Sequence, residues 1–189
     1  MTRHLIVALM FATHLDLHGQ EILSLSASLI GGPELNSPSV IQAQNLARQI
    51  LSQAGIALDW CKRERTCSDW QGRLRLHLLP RAPESLRLAA MAEAFVFEGR
   101  TIRIYWNRLN DRRGSLAPAQ LLAHVIVHEV MHLLQGCNRH SDSGIMKASW
   151  TEEDYSRMRR GQLTFAVEDL ELLQHARPRR LDRGPDPSI

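Results

Sequence analysis

The stretch "PAQLLAHVIVHEVMHLL", residues 118–134, constrains the fold more than any other part of the chain. Its spacing predicts an amphipathic helix, with Leu121, Leu122, Val125, Ile126, Val130, Leu133 and Leu134 supplying apolar contacts. Residues four apart share one helical face, so His128 and His132 can aim two imidazoles at one point. Such a helix belongs in a core, and polar groups carried into a core need a partner; a metal ion is one. The fold must therefore close around a helix that brings two imidazoles and a carboxylate inside with it.

His128, Glu129 and His132 form an HExxH string, in which the two histidines bind zinc and the glutamate serves as general base toward metal-bound water. Catalytic zinc usually takes three protein groups and keeps one position for water, so a third ligand is expected downstream. Gly136 can adopt the left-handed conformation that ends a helix, and Cys137-Asn138-Arg139 give a short loop that can swing His140 toward the metal. His140 is the expected third ligand; Asp142, Cys137 and the downstream carboxylates of Glu152 and Glu153 are the alternatives. His124 lies one turn before His128, but three successive helical histidines cannot converge on one ion. It is expected to support the site or to be partly solvated.

The stretch resembles the metzincin zinc endopeptidases, whose signature is HExxHxxGxxH followed by a methionine-containing turn. That pattern would place glycine at 135 and histidine at 138, where this chain has Gln135 and Asn138. The glycine comes one residue late, at Gly136, and the histidine two late, at His140. "HSDSGIM" is similar to the matrixin branch, and the likeness implies that Met146 lies under the metal and packs through its thioether. The arrangement also resembles a set of short bacterial proteins carrying HExxHLLxG, HS and GIM followed by a tryptophan, here Trp150.

The resemblance implies an α+β fold: a metzincin-like twisted mixed β-sheet with a backing helix, an active-site helix and C-terminal helices. It implies Zn²⁺ as cofactor, held by His128, His132 and His140, and a peptide or protein substrate hydrolysed through zinc-bound water with Glu129 as general base. Some metzincins place a tyrosine two residues after the turn methionine, where this chain has Ala148. In such peptidases an edge strand pairs with extended substrate. "AAMAEAFVF" would hold that place, or form a hairpin with no peptide role. A zinc hydrolase acting on another amide would use the same residues, and a zinc-binding module without catalysis is a further alternative. An intact Glu129 speaks against the last.

The remaining chain reads as a scaffold of matching size. At 189 residues and 44% apolar content it is long enough to bury one core around the metal helix. "EILSLSASLI" alternates as a half-buried strand does, and "GGPELNSP" interrupts it. The stretch from Ser37 has a serine cap, Pro38 at the first helical position, apolar spacing at Ile41, Leu46, Ile50 and Leu51, and Gly55 as its stop. "IALDW", "RLRLHLL", "EAFVF" and "TIRIYW" read as strands, the last two separated by the turn "EGR". "WTEEDYSRMRR" and "TFAVEDLELLQHA" read as closing helices.

Three units are expected: 1–20 as signal peptide or N-terminal extension, 21–176 as the catalytic domain, and 177–189 as a disordered Arg/Pro-rich tail. The run from Leu5 to Ala12 after Arg3 suits a signal-peptide core, though it lacks a small-x-small cleavage site; a first strand or helix is the alternative. Cys61 and Cys67 bracket "CKRERTC", which an oxidising compartment would staple, so a secreted or periplasmic location is expected. The formal charge of +3 is mild, and the arginines of the tail sit on no basic helix face with interleaved aromatics. No nucleic-acid partner is expected, and no run of about 20 apolar residues offers a membrane span.

Overall fold

In the computed structural model, which describes residues 22–61, 73–110 and 116–180, the chain builds one five-stranded sheet with helices packed on it. Strand β1 (Leu23–Gly31) runs into a 3₁₀ turn at Pro33–Asn36 and helix α1 (Pro38–Ser52). Ser37 caps α1 as expected, accepting the Val40 backbone N–H at 3.3 Å, with Pro38 in the first turn where its missing donor costs nothing. β2 (Ile56–Trp60) follows and lies parallel to β1, so β1, α1 and β2 form a parallel crossover unit.

β3 (Leu74–Leu79) pairs parallel with the other side of β1, and β5 (Thr101–Tyr105) pairs parallel with β3. β4 (Ala92–Ala94) pairs antiparallel with β5, giving the order β2-β1-β3-β5-β4 with β4 at one edge. The sheet is thus mixed, and the α+β expectation holds.

Alternation sorts the strands into two faces. Leu23, Leu25, Ala27, Ile56, Leu58, Leu74, Leu76, Leu78, Ile102 and Ile104 are all buried. Helix α1 packs along β2 and along α3 (Pro118–Gln135), and α3 continues across β5 and β4. Each leucine or isoleucine so covered contributes about 1.5–3 kcal/mol, which is why a strand register set by these residues resists slipping. The short helix α2 (Trp106–Asn110), α4 (Glu152–Arg159) and α5 (Val167–Arg180) also pack against α3. α3 is therefore the hub that the sequence implies.

Three boundaries differ from expectation. β4 stops at Ala94, because Val96–Glu98 form the turn and Gly99 is at φ 121°; the reversal takes more residues than "EGR" offers. Phe95, past the end of β4, still donates its N–H to the Thr101 carbonyl at 3.0 Å, and its ring lies under the Arg103 guanidinium, 4.5 Å from the ring centroid. Trp106 starts α2 rather than ending β5. α5 runs to Arg180, four residues into the segment expected as tail, whereas 181–189 lie outside the described residues.

The expected signal segment 1–20 also lies outside them. Cys61 is held in a disulfide and Cys137 is a free thiol, while Cys67, the expected partner, is outside the described residues. No helix among the described residues is long and apolar enough to cross a membrane.

Candidate metal centre

Helix α3 carries His128, Glu129 and His132 into the interior, where their exposures fall to 8%, 8% and 4%. The helix ends as the sequence predicts: Gly136 is left-handed at φ 69°, and its N–H closes the last turn on the His132 carbonyl at 2.8 Å. The chain then turns back, and the exposed His140 completes a cluster. The ligand-capable nitrogens of His128, His132 and His140 all lie within 4.8 Å of one another, and this is the one such group among the described residues.

The rings are held from behind. His128 Nδ1 donates to the Ile145 carbonyl at 2.9 Å, and His132 Nδ1 donates to the Cys137 carbonyl at 2.9 Å. A carbonyl can only accept, so in each neutral ring the proton sits on Nδ1 and Nε2 presents a lone pair. The two Nε2 atoms face each other at 3.0 Å. Two lone pairs at that distance repel unless a positive charge lies between them. A shared proton is opposed by the surroundings: burial first, then the neighbouring His132, pushes His128 down to about 3, and burial likewise pushes His132 down to about 4. Burial lowers His140 as well. Nitrogens on a tetrahedral Zn²⁺ at about 2.0–2.1 Å would stand roughly 3.3 Å apart, close to the observed separation.

A tight turn supports the His128 anchor. The Ser141 N–H donates to the Met146 carbonyl at 2.9 Å, and the Ile145 N–H donates to the Thr164 carbonyl at 3.0 Å. Gly144 stands at φ 75°, where a Cβ would fall 2.5 Å from the Thr164 oxygen, so only glycine fits. Met146 and Ile145 are fully buried in the core. Trp150 Nε1 donates to the same Ile145 carbonyl at 3.2 Å, with its ring edge-on to His128 at 5.7 Å between centroids.

Glu129 faces the sheet's edge strand. The Ala94 backbone N–H reaches its carboxylate, yet burial, followed by the nearby Glu93 charge, pushes it up to about 8. Glu93 itself accepts a short hydrogen bond from the Tyr105 hydroxyl, and burial with that bond raises Tyr105 to about 12.

The alternatives named from sequence do not join the cluster. Glu153 pairs with Arg157 at 3.2 Å, and Cys137 contributes its backbone carbonyl rather than its thiol. Asp142 and Glu152 are outside it. His124 is buried, with Nδ1 on the Gln120 carbonyl at 2.8 Å, so it is neither a member of the cluster nor solvated.

Sequence reasoning missed Glu93 and Ala94 beside Glu129, and Asp169, which accepts the hydroxyl of Ser141, the residue after His140. The first two belong to a strand defined by its partner β5, and the third sits 29 residues past His140, joined to it only by folding.

No protein-family model and no curated protein matches the chain. Among solved structures it is similar to archaemetzincin from Methanopyrus kandleri, with 16% identity and a TM-score of 0.50. The likeness covers 87% of this chain and 100% of that one, and it shows a shared fold.

Proposed function

We propose that the chain is a zinc-dependent peptidase, with Zn²⁺ held by His128, His132 and His140 and with Glu129 as general base. The metal reading is carried by the facing Nε2 lone pairs, 3.0 Å apart, on rings whose Nδ1 protons are already committed to backbone carbonyls. Structural zinc sites usually fill the fourth position with protein, whereas here the cluster holds three histidines, one of them exposed, and the helix carries Glu129 next to His128 in sequence. When bound, Zn²⁺ supplies Lewis acidity, polarising a carbonyl and acidifying water.

The chain's own residues supply the rest. Glu129 takes a proton from the attacking water and returns it to the leaving nitrogen. Without the ion, burial keeps its carboxyl protonated to about pH 8; a dication beside it favours the ionised form, which is the form a base needs. The Ala94 N–H fixes one carboxylate oxygen and so aims the other. β4 lies at the sheet edge next to Glu129, where an extended peptide can add as a strand, which favours a peptide over a compact amide. Met146 packs as the apolar floor of the site. The catalytic unit spans 21–176 together with the last residues of α5, to Arg180, and export remains part of the reading, with Cys61 in a disulfide as its support.

The test compares wild type with Glu129→Gln on a mixed peptide library, with and without a chelator. Chelator-sensitive cleavage by wild type and a fall of roughly a hundredfold or more in the variant, with zinc still bound, are expected. A zinc-loaded wild type that cleaves nothing removes the peptidase reading.

A further inference from the structure

Both ends of the loop that carries His140 are fastened to one residue of a distant helix. On the α3 side, Gln135 Nε2 donates to the Asp169 backbone carbonyl at 3.0 Å. On the far side, the Ser141 hydroxyl donates to Asp169 Oδ1 in a short hydrogen bond. Asp169 Oδ2 accepts the Ala166 N–H at 3.1 Å, which caps the start of α5 and fixes the carboxylate. Gln135, Ser141 and Asp169 are 6%, 7% and 2% exposed, so these bonds form away from water.

The brace coincides with the place where the chain departs from the metzincin spacing. Gln135 stands where that signature has glycine, and the loop to His140 is longer by two residues. A longer loop ending in an exposed ligand has more conformations to lose on metal binding. Glycine could not supply the side-chain amide that pins the near end, whereas Gln135 does.

From this we infer that the Asp169 carboxylate is a positioning residue for the third metal ligand, acting through Ser141 to hold the far end of the widened loop in a metal-ready form, while Gln135 pins the near end on the main-chain carbonyl of the same residue. The inference rests on the zinc assignment to His128, His132 and His140. Asp169 touches neither ion nor substrate; its effect passes through the residue next to His140.

The experiment is a double-mutant cycle read by metal affinity on folded protein. Zinc affinity is measured by chelator competition for wild type, Asp169→Asn, His140→Ala and the double variant. Co²⁺ spectra report the coordination of each. Asp169→Asn should weaken zinc binding by roughly 10- to 100-fold, the usual range for groups that orient ligands, and should shift the Co²⁺ spectrum toward that of His140→Ala. In the His140→Ala background the same change should weaken binding by less than about twofold, because the ligand it serves is gone. A merely structural role would weaken binding equally in both backgrounds, and that outcome overturns the inference, as does undiminished affinity in both Asp169→Asn, whose amide oxygen can still accept the Ser141 hydroxyl, and Ser141→Ala, which deletes that bond. Ser141→Ala deletes a single hydroxyl and runs through the same cycle with the same pattern expected, so misfolding of Asp169→Asn does not stop the test. A wild-type chain that takes up neither metal overturns the zinc reading and this inference with it; metal uptake with equal losses overturns this inference alone.

Discussion

His128 and Trp150 meet at one atom, the Ile145 carbonyl oxygen, which accepts His128 Nδ1 at 2.9 Å and Trp150 Nε1 at 3.2 Å. The two donors approach from different elements, so the carbonyl is fixed by one and orients the other. Trp150→Phe keeps an aromatic edge against His128 while deleting the indole donor, and Trp150→Ala removes both. Zinc affinity measured by chelator competition should fall severalfold in the first and by roughly tenfold or more in the second, as for other partners that orient a ligand. Wild-type affinity in Trp150→Ala would show that His128 needs no such support.

His140 is the exposed member of the cluster, and it is also the member whose spacing departs from the metzincin signature. His140→Ala should reduce zinc content sharply, whereas Asp142→Ala and Cys137→Ala should retain it. For Cys137 the reason is specific: its carbonyl holds His132, and a backbone carbonyl survives the substitution. Zinc stoichiometry by elemental analysis decides the matter; loss in either control with retention in His140→Ala reverses the assignment.

The sequence makes α3 and its two histidines legible because local periodicity and i,i+4 spacing encode them directly. α1 is equally legible through Ser37 and Pro38, which act as read, whereas the helix stops at Ser52 with Gln53 as its cap and Gly55, at φ 68°, makes the turn into β2. The β4 boundary is not, since an edge strand is defined by its partner: Ala94 pairs with Ile102, and nothing in "EAFVF" itself says that the strand stops there. The supporting shell of the site is the least legible part. Glu93 and Asp169 come to it from separate elements, and no local pattern joins either of them to α3.

Gly144 offers a stability test independent of metal. Its φ of 75° and the 2.5 Å approach of an added Cβ to the Thr164 oxygen combine conformational strain with a clash against backbone, which cannot rotate away. Gly144→Ala should destabilise the metal-free protein by about 2 kcal/mol or more, seen as a lower denaturation midpoint with an unchanged slope. Gly161→Ala is the control: φ there is similarly left-handed, at 66°, but nothing lies within 4 Å of its added Cβ, so its cost should be strain alone and smaller. Equal losses at the two positions would mean that the contact with Thr164 contributes nothing.

The buried titratable groups set opposite pH slopes in the metal-free protein. His77, His124, His128, His132 and His140 all lie below their ordinary value in the fold, chiefly through burial. As pH falls below about 6.5 the unfolded chain takes up protons that the native state refuses, so stability is lost toward acid. Glu129 acts the other way. Its folded carboxyl, pushed up to about 8, stays protonated where the unfolded one has ionised, so stability is lost as pH rises toward 8, by roughly 1 kcal/mol per pH unit. The two limbs should give a stability maximum near pH 7, steep on the acid side and gentle on the alkaline side, in denaturant unfolding of chelator-treated protein. Glu93→Gln removes the second cause of the Glu129 shift while leaving an acceptor for the Tyr105 hydroxyl. The alkaline limb should therefore shrink, though burial, the larger cause, keeps part of it. An unchanged alkaline limb in Glu93→Gln would mean that burial alone raises Glu129 and that the edge strand's charge does not reach α3.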